Sequence, residues 1–223
     1  MKDYGIPIPK EKFESLKNDQ KFLKILILAR FINAIRFCQM CSFLPISDSE
    51  GTYARKRQRI NSFLYTGSVL YEGFRFAEKA LKKDFQKMDV YKKGIGAILK
   101  DEKTRELKNS LSIMRNMFVF HFDTKNIQST GKALQKYDSD SYIFASAHGE
   151  AGGNMYYVLA DEFFINYVID QKSAESNDEP KEIYKWLLKD TLDLMDRFTE
   201  AAEKLIAEFL LQIGLTVDVA VSR

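Results

Sequence analysis

The stretch Met114-Arg115-Asn116-Met117-Phe118-Val119-Phe120-His121-Phe122-Asp123 sets a guanidinium, an amide and an imidazole into an otherwise apolar segment. A charge beside Met, Phe and Val is unfavourable unless it meets a partner or lines a cleft, so Arg115 and His121 ask for more than a plain core helix supplies. Their chemistry suits a phosphate. Arg115 stays charged and grips a phosphate through two parallel hydrogen bonds. The unperturbed pKa of an imidazole lies near neutrality, which suits His121 to proton transfer at physiological pH. Asn116 then orients one of the arginine's hydrogen bonds or contacts a ribose. A structural account stands beside this one: an arginine paired with an acidic residue, and a helix-end histidine that satisfies terminal carbonyls.

Arginine, a polar residue and a histidine at this spacing resemble the signature of the HEPN superfamily, small helical domains of many prokaryotic toxins and antiviral systems. The resemblance covers seven residues, Arg115 to His121. It implies an endoribonuclease in a toxin or phage-defence setting, with an antitoxin or another defence protein as partner. RNA carries its own nucleophile, the 2′-hydroxyl, so cleavage needs proton transfer and a cation on the phosphate, and no metal is obligatory. Neither a metal nor any other cofactor is expected. Six α-helical steps would put His121 roughly 120° around the helix from Arg115, off its face. Three arrangements close that gap: a swing of the long arginine side chain, a helix distortion near His121, or a second subunit. The resemblance favours the third, because HEPN domains typically dimerise around a composite cleft, and a homodimer is expected. HEPN partners of minimal nucleotidyltransferases carry a tyrosine two positions past the histidine. Here that position is Asp123, which instead serves to fix the imidazole tautomer.

Other residues suit such a cleft. Arg55, Lys56, Arg57 and Arg59 form a dense basic run with Tyr53 and Tyr65 nearby, matched to an RNA backbone and stacked bases; the plainer reading is a solvated helix start. Glu72 and Arg75 sit among Tyr71, Phe74 and Phe76, placed either to orient the catalytic groups or to form a structural ion pair. His148 lies in a glycine-rich turn and reads as a surface residue. Cys38 and Cys41 make a lone CxxC with no further ligand at metal spacing, so the pair reads as small buried apolar residues and no metal site is expected.

These residues need a scaffold, and the chain can build one. Its 223 residues are 45% hydrophobic and 13% aromatic, enough for a substantial core in one domain over 1–223. Lys and Arg outnumber Asp and Glu by 34 to 31, so any basic surface must be local. The first ten residues do not read as a signal peptide. The longest apolar run, Met155 to Ala160, is too short for a bilayer, and a cytoplasmic location without membrane contact is the expectation.

Apolar periodicity predicts helices almost throughout. Glu11 to Cys41 reads as one or two helices with Phe22, Ile25, Leu26, Ala29, Ile32 and Ile35 inward, stopped by Pro45. Ser47, Asp48 and Ser49 are N-cap candidates for a helix reaching Phe85, whose Gly67 and Gly73 permit close contacts. After a break at Gly94 and Gly96, Thr104 to Phe122 carries the Arg-Asn-His stretch. A β-hairpin is expected at 141–159, with Tyr142-Ile143-Phe144 and Tyr156-Tyr157-Val158 as its strands. A helix from Asp161 to about Asp170 follows. The last helix, 180–214, starts at Pro180 and carries the stripe Ile183, Leu187, Leu188, Leu192, Met195, Phe198, Ala202, Leu205, Phe209 and Ile213. The fold class is all-α, a helical bundle of long antiparallel helices with one β-hairpin insertion. The expected function is metal-independent RNA cleavage by 2′-hydroxyl attack at a dimeric Arg/His site. The alternative is a catalytically inactive helical module that binds a partner protein or a nucleotide.

Overall fold

A computed structural model describes residues 4–43, 51–119, 146–147, 155–156, 168–170, 172–173, 178–215 and 219–220. The described residues are mostly helical, and the fold class is all-α. After the two-residue strand β1 (Tyr4–Gly5) come α1 (Lys10–Leu16), α2 (Gln20–Phe43) and α3 (Gly51–Phe76). A π-helical segment, Ala77–Leu81, joins α3 to α4 (Lys82–Phe85), so this helical run does reach Phe85. Then follow α5 (Asp89–Lys93), α6 (Ile95–Ile98) and α7 (Glu102–Ile113), which continues as a second π-helical segment, Met114–Val119. Strands β2 (Ser146–Ala147) and β3 (Met155–Tyr156), helix α8 (Pro180–Gln212) and β4 (Val219–Ala220) complete the order. The residues expected to cap α3, Ser47 to Ser49, lie outside the described set, as does most of the helix expected at 161–170.

Local chemistry sets several boundaries. The Asp19 carboxylate accepts a hydrogen bond from the Phe22 backbone N–H at 2.7 Å and caps α2. Helix α8 opens on Pro180, whose fixed φ suits the first helical position, with Glu182 in its first turn. Its end is a Schellman motif. Gly214 takes φ +77°, Leu215 N–H donates to Leu210 O (2.9 Å) and Gly214 N–H donates to Leu211 O (3.0 Å).

Contacts divide the chain into two compact units, where the sequence reads as one domain. Helices α2, α3 and α8 each supply residues to both. The first unit comprises Met1–Ala34, Gly73–Asp101 and Asp196–Arg223. Its core is aromatic: the Phe198 ring meets Phe31 and Phe74 edge-on at centroid distances of 5.3 and 4.9 Å, and Phe85 meets Phe209 at 6.0 Å. Gly73 leaves room for the Phe31 ring, since an added Cβ would stand 2.8 Å from Cζ. Lys24 forms an ion pair with Asp84, and that ammonium holds the carboxyl below its ordinary pKa. β1 and β4 pair antiparallel, Tyr4 opposite Ala220 and Gly5 opposite Val219.

The second unit comprises Ile35–Glu72 and Glu102–Met195. Its core mixes Ile60, Phe63, Leu64, Leu107, Leu111, Met114, Ile183 and Leu187 with buried Ser62, Thr66, Ser68, Thr104, Ser110 and Thr191. The Thr66 and Ser68 hydroxyls donate to the carbonyls of Ser62 and Leu64, each at 2.8 Å. β2 and β3 pair antiparallel, Ser146 opposite Tyr156 and Ala147 opposite Met155. The remainder of the hairpin expected at 141–159 lies outside the described residues.

Two of the expected stripes shift. On α2 the buried residues are Phe22, Ile25, Leu28, Phe31, Ile32, Ile35 and Cys38, whereas Leu26 is exposed. The helix is apolar on every side, with Leu26, Ile27, Phe37 and Met40 all exposed, so spacing alone does not select its inner face. On α8 it is Thr191 and Leu194 that turn inward, while Leu192 is exposed.

Candidate functional site

The site grows from the packing of α7 on α3 within the second unit. Thr104, Leu107, Leu111 and Met114 recur at threes and fours and are buried. Met114 is fully buried because Gly67 leaves room for it: an added Cβ there would overlap the Met114 Sδ. The π-helical segment begins at Met114, so its hydrogen bonds run i→i+5 from the turn that carries Arg115 and Asn116. Such segments are frequent at functional sites, where the extra residue in the turn redirects the side chains beyond it.

Arg115 emerges from this anchored turn into a small polar network. Its buried Nε stands 2.6 Å from Glu72 Oε1, with the N–H directed off the line of contact, so that attraction is Coulombic more than hydrogen-bonded. Nη1 donates to Asn116 Oδ1 at 2.8 Å, and Asn116 Nδ2 donates to Ser112 Oγ at 3.1 Å. The Arg115 side chain is 22% exposed and that of Glu72 41%. The guanidinium is thus held on two sides while its carboxylate partner stays within reach of solvent. Ligand binding demands this kind of fixed first contact with a supporting shell.

Of the residues proposed for the site, Arg115, Asn116 and Glu72 come together. His121 and Asp123 lie outside the described residues, as does His148. The offset of roughly 120° expected between Arg115 and His121 assumes α-helical steps, whereas Met114–Val119 takes π-helical ones and His121 lies beyond it, outside the described residues. The basic run stands apart from the network. Arg55, Arg57 and Arg59 are exposed on the first turns of α3, and the Lys56 side chain is outside the described set. At 1.5 Å per residue they lie roughly 20–25 Å along the helix from Glu72, so one phosphate cannot meet both groups. An RNA strand of several nucleotides could. Arg55 and Arg59 share a face at i,i+4, and Arg57 points elsewhere with Asn61 and the exposed Tyr65.

Ser112 was not singled out from the sequence. Ser112 was findable, since it lies four residues before Asn116 on a helix. Gly67 was noted for close contact, but its seat for Met114 required the packed partner. Of the two cysteines, Cys38 is buried, with burial pushing its thiol pKa up, and Cys41 is half-buried. Among the described residues no group of three or more His, Cys, Asp or Glu could hold a metal. No described helix is long and apolar enough to cross a membrane.

Comparison of the chain with protein families, curated proteins and solved structures finds no match in any of the three.

Proposed function

We propose that this chain is a metal-independent endoribonuclease of a toxin or phage-defence system. The observation that carries this reading is the clamped guanidinium of Arg115, fixed by Glu72 and Asn116 on a π-helical turn that leads toward His121. In this reading Arg115 receives the scissile phosphate, which displaces or shares the Glu72 carboxylate as its counter-ion. The 2′-oxygen attacks phosphorus as its proton leaves, and the 5′-oxygen departs with a proton. His121 carries one of these transfers and Asp123 fixes its tautomer. The products are a 2′,3′-cyclic phosphate and a 5′-hydroxyl. Arg55, Lys56, Arg57 and Arg59 hold the flanking RNA backbone. The long antiparallel bundle, the hairpin at 141–159, a cytoplasmic homodimer and an antitoxin or defence partner belong to the same proposal.

The test measures cleavage of single-stranded RNA in EDTA, RNA affinity and thermal stability together. His121→Ala is expected to slow cleavage by about a hundredfold to ten-thousandfold with affinity largely retained, the scale of losing a general acid or base. Arg115→Ala is expected to weaken both, and Arg115→Lys to rescue poorly for want of a planar fork. Strict dependence on Mg²⁺ or Mn²⁺, or full activity in His121→Ala, overturns the mechanism.

One observation favours a second reading. The 2.6 Å approach of Glu72 neutralises Arg115 within the chain, as expected of a catalytically inactive module that binds a partner protein or a nucleotide. Glu72→Gln separates the two. It leaves an inactive module inactive and only less stable, and it strengthens phosphate binding in the ribonuclease.

A further inference from the structure

A pair of reactive groups in the second unit has no part in the Arg115 network. Cys38 and Cys41 lie three residues apart near the end of α2, so they are neighbours on one side of the helix. Neither forms a disulfide; Cys38 is 6% exposed and Cys41 is half-buried. Helix α3 meets this turn at two points: the Thr66 side chain hydrogen-bonds with the Cys38 thiol, and Gln58 Nε2 donates to the Cys41 carbonyl. Burial chiefly raises the Cys38 pKa and Cys41 adds to the rise, so the sulfurs stand within electrostatic range of each other.

Three helical steps set the two Cα atoms roughly 5 Å apart, inside the range of about 4.4–6.8 Å that a disulfide spans. Their Cβ atoms stand roughly 5–6 Å apart in a regular helix, about 1 Å beyond what the bond allows, so closure must deform the turn. The position permits it. Phe43 ends the helix, so Cys41 O is one of the last four carbonyls, which have no intrahelical partner, and its hydrogen bond already goes to a side chain. Deforming this turn therefore breaks less of the helix than the same change in its middle. A bond closed against that resistance is readily reduced, which makes it reversible. Two cysteines that served only as small apolar fillers would both be buried, and Cys41 is only half-buried.

We propose that Cys38 and Cys41 form a reversible dithiol–disulfide site that closes by exchange with a small-molecule disulfide such as glutathione disulfide. Cys41, the more accessible, attacks first as its thiolate: its Sγ bonds to one glutathione sulfur, the glutathione S–S bond breaks, and one glutathione leaves. The Cys38 thiolate then attacks Cys41 Sγ, closing the intramolecular disulfide and expelling the second glutathione. The two protons given up by the cysteines end on the two departing thiolates, and the two electrons lost by the pair reduce the glutathione disulfide. This site is independent of RNA cleavage and stands or falls separately from it.

The chain has two cysteines in all, so its thiol count reports on this site alone. The full chain is incubated with glutathione disulfide where circular dichroism shows it folded, remaining thiols are blocked with N-ethylmaleimide, and intact masses are read. The parent is expected to lose two hydrogens and take up no maleimide, and dithiothreitol to restore both thiols. Cys38→Ala is expected to accumulate one glutathione on Cys41, because no second thiol remains to expel it. Cys41→Ala is expected to leave the buried Cys38 unmodified over the same interval. A parent chain that keeps both thiols, stops at the mixed disulfide or links two copies overturns the proposal. So does a folded Cys38→Ala that takes up no glutathione, or a folded Cys41→Ala that takes it up as fast as the parent reacts.

Discussion

The two units bury different things. Among the described residues, the fully buried side chains of the first unit are apolar, with the Thr199 hydroxyl as its buried polar atom, and three edge-on ring pairs belong to it. In the second lie all six of the buried polar residues identified, Ser62, Thr66, Ser68, Thr104, Ser110 and Thr191, together with the Arg115 network. An apolar core is held by shape and volume and has no hydrogen-bonding groups to aim at partners. Hydroxyls in such a core need orientation toward partners, as those of Thr66 and Ser68 find in the carbonyls of Ser62 and Leu64, and the same need holds the Arg115 guanidinium against Glu72 and Asn116. The difference concentrates ring packing in one set of residues and buried polar groups in the other.

The largest effect should come from the aromatic core. Phe198 is fully buried between Phe31 and Phe74, so Phe198→Ala is expected to cost about 3–5 kcal/mol in urea unfolding. A loss near 1 kcal/mol would break the contrast, because no other residue in that unit touches two rings in the same way among the described pairs.

Glycine substitutions come next and compare the units directly. Gly73→Ala drives a Cβ into the Phe31 ring, a rigid plane wedged against Phe198, and is expected to cost about 1–3 kcal/mol. Gly67→Ala meets the thioether of Met114, which is flexible and can give way, so it should cost less. Under the proposed function, its effect should fall instead on RNA binding, through displacement of the turn that carries Arg115. Equal Tm losses in the two variants would show that the second core is as rigid as the first.

Thr191→Val sharpens the comparison with the opposite sign. Thr191 is fully buried and its hydroxyl meets no hydrogen-bond partner among the described residues, so exchanging it for a methyl is expected to raise stability by about 1 kcal/mol. A fall in stability would mean that the hydroxyl is satisfied after all.

The smallest effect concerns the partly buried pair Lys24–Asp84 in the first unit, where Asp84→Asn should cost about 0.2–1 kcal/mol at neutral pH. Because the folded-state pKa of Asp84 is depressed, its contribution is complete above the unfolded carboxylate pKa of about 3.9 and is lost as pH falls through the lower folded value. The Asn variant and the parent should therefore converge in stability only in strong acid. Convergence already at pH 6 would exclude this pair as the source.

Much of the fold was legible because helical periodicity is a local property. On α3 and the π-helical segment after it, Ile60, Phe63, Leu64, Gly67, Leu70, Phe74, Ala77 and Leu81 recur at threes and fours in the sequence and are buried, and Tyr71, on the same stripe, is half-buried. Its polar and apolar faces differ enough in the sequence to give one answer. Helix α2 does not, since a cylinder apolar on all sides offers several stripes of equal merit. Arg115, Asn116 and Glu72 were legible as a group because charge among apolar neighbours needs a partner, and Glu72 was the acid in the opposing helix.

What the sequence determined by itself, then, is composition of faces: where helices run, which residues are too polar to be buried alone, and that Pro180 opens the last helix. Tertiary structure decided register. Leu192 is the more apolar residue, yet Thr191 is the one turned inward, because the stripe through Ile183, Leu187, Leu194 and Phe198 passes through position 191 and a rigid helix cannot bury one side chain out of phase with the rest. The same holds at Met114, where the turn of the chain is π-helical and Gly67 makes room across the interface. Neither fact is written in spacing, because both depend on which atoms of a distant segment arrive at the contact.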